Sequence, residues 1–123
     1  MAQILFCEDD VLTRKVVMHT LKKESFTTNE FENGALGLDF LKSNTVDLVL
    51  TDIHMPKLDG LGLIEAIRNE LKLHVPIIIL TNIGNETTVL KAFEIGADDY
   101  LIKPFEPEDL IIRIKKVLQR VGN

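Results

Sequence analysis

A chain of 123 residues with 46% hydrophobic content and one cysteine can bury a core without staples and cannot be a disulfide framework. A net charge of −5 with no basic patch argues against direct nucleic-acid binding by this domain. No apolar run is long enough to span a membrane or to serve as a signal core, so one cytoplasmic domain over residues 1–123 is expected.

Short apolar runs alternate with amphipathic segments along the chain. The first strand is expected at Gln3 to Cys7, with Cys7 as a small buried hydrophobe, and leads into Glu8-Asp9-Asp10. A helix near 11–23 follows, for which Asp10 taken alone is a better cap than a metal ligand. A second strand at Phe26 to Phe31 and a helix near 34–43 come next. A third strand at Val46 to Thr51 then runs into Asp52 and Met55-Pro56. The helix near 60–71 has Asp59 as its cap and turns Leu63, Ile64, Ile67 and Leu71 inward.

A fourth strand at Val75 to Thr81 precedes a helix near 86–95, which Gly96 ends. The fifth strand, Asp99 to Lys103, is followed by Pro104. A last helix near 107–120 opens with Pro107 and repeats Leu110, Ile114, Val117, Leu118 and Val121 at helical spacing.

Strict alternation of near-continuous apolar strands with helices implies a parallel sheet covered on both faces. The expected fold is α/β: a three-layer, doubly wound, flavodoxin-like (βα)5 sheet of strand order 2-1-3-4-5, with its site at the carboxyl ends of strands 1 and 3. Those ends carry Glu8, Asp9, Asp10 and Asp52, while strand 4 delivers Thr81 and strand 5 delivers Lys103. Several carboxylates meeting in one crevice need a cation, and an oxygen-only set without thiols suits Mg²⁺ better than zinc. A carboxylate beside Mg²⁺ can act as a nucleophile toward phosphorus, with a lysine and a hydroxyl stabilising the transferred oxygens. Taken singly, Asp52 would be a turn residue, Thr81 a strand-end hydroxyl and Lys103 a solvated cation. Their joint arrival at one sheet edge is the signal. His19 and His74 read as ordinary helix and loop residues.

The stretches "LFCEDD", "VDLVLTDIHMPKLDG", "PIIILTN" and "GADDYLIKPF", in this order and spacing, resemble the receiver domain of bacterial two-component response regulators over essentially the whole chain. The resemblance implies that Asp52 accepts a phosphoryl group from a phosphohistidine on a sensor histidine kinase. Glu8 and Asp9 would be the acidic pair for Mg²⁺, with Asp9, Asp52 and the His54 backbone carbonyl as direct ligands and Glu8 acting through a bound water. Thr81 and Lys103 would hold the phosphoryl group, Lys103–Pro104 would be cis, and Thr81 with Tyr100 would switch the face of the fourth helix, fifth strand and fifth helix. In the winged-helix branch that face dimerises through opposite charges, for which Glu94 with Lys115 and Asp99 with Arg113 are the candidates. Val89 stands where that branch carries a basic residue paired with the Asp109 position. Asn82 stands where a small residue is more usual.

The implied function is a phosphorylation-activated signalling switch that controls an output domain or partner, transcription regulation being the foremost case. It catalyses only its own phosphoryl transfer and autodephosphorylation. A stand-alone receiver or phosphorelay intermediate is the alternative. A flavodoxin-like cofactor binder is disfavoured because Glu8-Asp9-Asp10 would repel a phosphate. A haloacid-dehalogenase-type phosphatase would need an acid at position 54, where the chain has histidine.

Overall fold

The computed structural model describes residues 2–122; of these, the side chains of Val121 and Gly122 lie outside the description, as does the expectation that Val121 faces inward. Five strands alternate with five helices: β1 (Gln3–Cys7), α1 (Val11–Lys23), β2 (Thr27–Phe31), α2 (Gly34–Leu41), β3 (Leu48–Asp52), α3 (Gly60–Glu65, continued by a π-helical turn at Ala66–Glu70), β4 (Ile77–Asn82), α4 (Glu86–Ile95), β5 (Asp99–Lys103) and α5 (Pro107–Gly122). All neighbouring strands pair in parallel, in the order β2-β1-β3-β4-β5.

The period of two along each strand divides the core into two layers. Leu5, Cys7, Val49, Ile77 and Ile79 point to one face, where Leu41, Leu63, Ile67, Val89 and Ala92 from α2, α3 and α4 cover them. Ile4, Phe6, Leu48, Leu50, Ile78 and Leu80 point to the other, under Val17 and Leu21 of α1 and Leu110, Ile114 and Val117 of α5. Because β1, β3 and β4 are sandwiched in this way, they read as unbroken apolar runs. Burial pushes the Cys7 thiol up to about 12, as suits an inert core residue.

The main differences from the sequence expectation lie at element edges. β3 starts at Leu48, not Val46, and includes Asp52; β4 starts at Ile77, not Val75; α2 ends at Leu41. At the starts of β3 and β4 the apolar residues Val46 and Val75 are only half-buried in loops, so hydrophobicity outran strand pairing. The third helix departs more, since its last turn is π. There Leu71 N–H donates to the Ala66 carbonyl, five residues back, at 2.9 Å. Asp10 and Asp59 cap α1 and α3 by accepting from Thr13 N–H and Gly62 N–H, each at 2.8 Å.

Candidate functional site

Parallel strands all leave the sheet at the same edge, so the residues ending β1, β3, β4 and β5 gather there. Glu8 is fully buried just past β1, and Asp52, at 6% exposure, is the last residue of β3. The Lys103 ammonium lies between them, 3.0 Å from Glu8 Oε1 and 3.0 Å from Asp52 Oδ2. The second oxygen of each acid is held by backbone: Asp10 N–H donates to Glu8 Oε2 at 3.2 Å and Ile53 N–H donates to Asp52 Oδ1 at 2.8 Å. Arg14 reaches back from α1 to the Glu8 carbonyl at 2.7 Å, fixing the β1–α1 turn.

Asp9 is exposed, and one oxygen from each of Glu8, Asp9 and Asp52 falls within 4.8 Å of the others. Two buried carboxylates sharing one ammonium leave a net negative charge out of water, which favours a proton or a cation. Accordingly, burial first and the Asp52 charge second push Glu8 up to about 7, against the opposing pull of Lys103. Burial alone would lower Lys103, but the charges and hydrogen bonds of Asp52 and Glu8 outweigh it and hold the ammonium above its ordinary value. The oxygen-only donor set and its uncompensated charge fit a hard divalent cation such as Mg²⁺.

The loop after Asp52 is pinned close to the acids. Gly60 N–H donates to the Ile53 carbonyl at 2.6 Å, and a Cβ at Gly60 would meet the Asp52 carbonyl oxygen at 2.5 Å. Only glycine lets α3 begin so near β3. His54 in this loop is exposed, and among the described residues its carbonyl accepts no hydrogen bond. The Lys103–Pro104 bond is cis.

Thr81 is buried near the end of β4, beside Ile102 of β5. Its hydroxyl accepts from the Asn85 side-chain amide at 3.1 Å and donates to the Asn82 carbonyl at 3.4 Å. Thr81, Asn85, Val89, Phe93, Tyr100 and Ile102 line a groove of about 290 Å³ between α4 and β5. The Tyr100 ring lies half-buried in it, edge-on to Phe93 with centroids 5.9 Å apart. Within the single chain, the basic residues expected at a dimer face have partners of their own. Arg113 pairs within the chain with Asp99 at 2.9 Å and with Asp109 at 3.3 Å, and Lys115 pairs with Glu24 at 3.0 Å. Among the described residues Glu94 makes no ion pair.

Two residues were not picked out from sequence. Asn85, directly before α4, donates to the Thr81 hydroxyl. Arg68, a charge on a helix flank, instead donates to the Gly96 carbonyl at 2.8 Å, the Leu73 carbonyl at 2.8 Å and Asp98 at 3.2 Å. For Asn85 the available signal was its place directly before a helical pattern, a position with cap preference. For Arg68 there was none.

The fold and site together define a doubly wound parallel α/β domain with an acidic pair, an aspartate, a hydroxyl and a lysine gathered at its carboxyl edge. The response regulator receiver domain family matches residues 4–115, and the chain belongs to that family. It is 35% identical over 118 residues to the transcriptional regulatory protein SrrA of Staphylococcus aureus, covering 96% of this chain and 48% of SrrA. The chain therefore spans about half the length of that relative. Among solved structures, it is similar to the signal receiver domain of a signal transduction histidine kinase from Syntrophus aciditrophicus (TM-score 0.90, 29% identity, covering 100% of this chain and 94% of that one). It is also similar to the chemotaxis response regulator CheY4 of Vibrio cholerae (TM-score 0.88, 27% identity, covering 95% and 98%). The chain is thus a response regulator receiver domain of the kind used in two-component signalling. Among the described residues, no helix is long and apolar enough to cross a membrane.

Proposed function

We propose that this receiver is a switch turned on by phosphorylation of Asp52, with a phosphohistidine of a sensor kinase as donor. The observation that carries the reading is the convergence of buried Glu8 and Asp52 on the single Lys103 ammonium, with Asp9 beside them. An oxygen of Asp52 attacks phosphorus, the P–N bond to the donor imidazole breaks, and its electron pair stays on the imidazole nitrogen. Lys103 then pairs with the phosphoryl oxygens, and the Thr81 hydroxyl donates to one of them. Glu8, Asp9, Asp52 and the His54 carbonyl would hold Mg²⁺, which supplies positive charge against the phosphoryl oxygens. Water reverses the modification, so the domain catalyses only its own phosphoryl transfer and its loss.

Drawing the Thr81 hydroxyl toward Asp52 frees the space that it lines with Tyr100, and the ring turns into it. The phosphorylated form must favour that arrangement through differential contacts, typically worth about 1–3 kcal/mol. The reshaped α4–β5–α5 face then controls an output domain or partner. The half-length match to a transcriptional regulator supports an output domain acting in transcription. The near full-length match to CheY4 keeps a stand-alone receiver or relay role as the second reading. In a two-fold dimer through this face, Arg113 would exchange its own Asp99 for that of a second copy, and Lys115 would leave Glu24 for Glu94. Sedimentation with and without beryllofluoride tests that assembly.

The deciding experiment for the acceptor is incubation with Mg²⁺ and acetyl phosphate. A phosphoryl mass increment that disappears in Asp52→Asn is expected; an increment that survives the substitution, or none with any donor, refutes the reading.

A further inference from the structure

Asn85 occupies the N-cap of α4, a position where asparagine ordinarily accepts a hydrogen bond from the backbone N–H two or three residues on. Here it makes no cap hydrogen bond, and its side-chain amide is turned instead to the Thr81 hydroxyl at 3.1 Å. The other helices with a described asparagine or aspartate cap behave ordinarily: Asp10, Asn33 and Asp59 each accept from their own first turn. Those three caps have extended backbone, whereas Asn85 has φ −102° and ψ 30°, and its amide N–H donates to the hydroxyl that the proposed function requires for the phosphoryl group.

We infer that Asn85 is a positioning residue with two alternative partners. At rest its side chain holds the Thr81 hydroxyl and leaves α4 without a side-chain cap; when Thr81 turns to phosphorylated Asp52, Asn85 takes up extended backbone and its side-chain oxygen caps α4 at the N–H of Thr87 or Thr88. This rests on the Asp52–Thr81 reading above and deepens it. The exchange opposes activation by the Thr81 hydrogen bond and rewards it with a cap. It links the site to α4 alongside the turn of Tyr100. The groove lined by Thr81, Asn85 and Tyr100 provides room for the swing.

The test uses the full chain and beryllofluoride with Mg²⁺ as the phosphoryl mimic. The chain has one tyrosine and no tryptophan, so intrinsic fluorescence reports Tyr100 alone. Asn85→Ser keeps a capping oxygen but is too short to hold Thr81, so it should cap α4 in both states, and the Thr87 or Thr88 amide should exchange about fivefold more slowly than in the parent at rest, the worth of one hydrogen bond. Asn85→Ala loses both partners, and that amide should exchange fast with or without beryllofluoride. In a Thr81→Ala background the serine substitution should change nothing, because the tie is already gone. Hydrogen exchange at the Thr87 or Thr88 amide should slow when beryllofluoride is added to the parent chain, and should already be slow at rest in Thr81→Ala. Equal exchange at that amide in Asn85→Ser and the parent at rest, or a slowing by Asn85→Ser that persists in the Thr81→Ala background, overturns the inference while leaving the Asp52 reading intact. Failure of the parent chain to bind beryllofluoride overturns both.

Discussion

The two edges of the sheet both hold charged side chains, but they treat them in opposite ways. At the amino edge, Arg68 satisfies the carbonyls of Gly96 and Leu73 and pairs with Asp98, whose carboxylate also accepts Ile77 N–H at 2.8 Å. One cation meets one anion, and backbone groups absorb the remaining hydrogen-bonding capacity. At the carboxyl edge, Glu8 and Asp52 compete for Lys103, and Asp9 adds a third carboxylate nearby. The first arrangement is closed and structural. The second is left with unanswered negative charge, which a bound cation would offset.

Breaking the closed edge should cost the most. Arg68→Met leaves two carbonyls and the Asp98 carboxylate without their partner and should destabilise the domain by about 2–4 kcal/mol, read by urea denaturation. Mg²⁺ affinity should stay unchanged; a fall in it would show that the two edges are coupled.

Neutralising one acid on each edge should give effects of opposite sign. Asp98→Asn should lose about 1 kcal/mol, whereas Asp52→Asn should gain about 1 kcal/mol in metal-free buffer by relieving like-charge repulsion. Adding Mg²⁺ to about 100 times its Kd should stabilise the parent domain by about 2.7 kcal/mol and Asp52→Asn by much less. Equal Mg²⁺ stabilisation of the two would place the cation elsewhere.

Cys7 offers a check on the layer between the edges. Its folded pKa of about 12 lies above the ordinary 9.0, so the native state keeps the proton that the unfolded chain releases. That contribution is complete below pH 9.0 and is lost as pH rises toward about 12, so stability should decline across this alkaline window more in the parent than in Cys7→Ala. Thiol labelling at neutral pH should proceed only through unfolding.

The smallest expected effect concerns Ile83, which is 77% exposed two residues beyond Thr81. A bulky apolar side chain there should restrict the attacking water. Ile83→Ser should shorten the phosphorylated lifetime by about fivefold, roughly a 1 kcal/mol change in barrier. An unchanged decay rate removes Ile83 from the account.

Much of the carboxyl edge could be read from the chain because strand ends are local features. Glu8, Asp52, Thr81 and Lys103 each follow directly on an apolar run, and parallel pairing carries all such ends to one place. The amino edge could not be read in this way. Arg68 meets Gly96 and Asp98 across 28 and 30 residues, and in sequence it is one charge on an amphipathic helix. Asp99 and Arg113 were recognised as a pair, but the structure joins them within one chain.

What the sequence determined by itself was the layer order, the strand order and the set of groups at the functional edge, because periodicity and right-handed crossovers admit few alternatives. Tertiary structure decided how those groups divide their hydrogen bonds: Lys103 between two acids, Asn85 on Thr81 instead of its helix, and Arg68 across α3 and the α4–β5 turn. A side chain's partner depends on which donors and acceptors lie within about 3 Å once the backbone has packed, and no one-dimensional pattern encodes that distance.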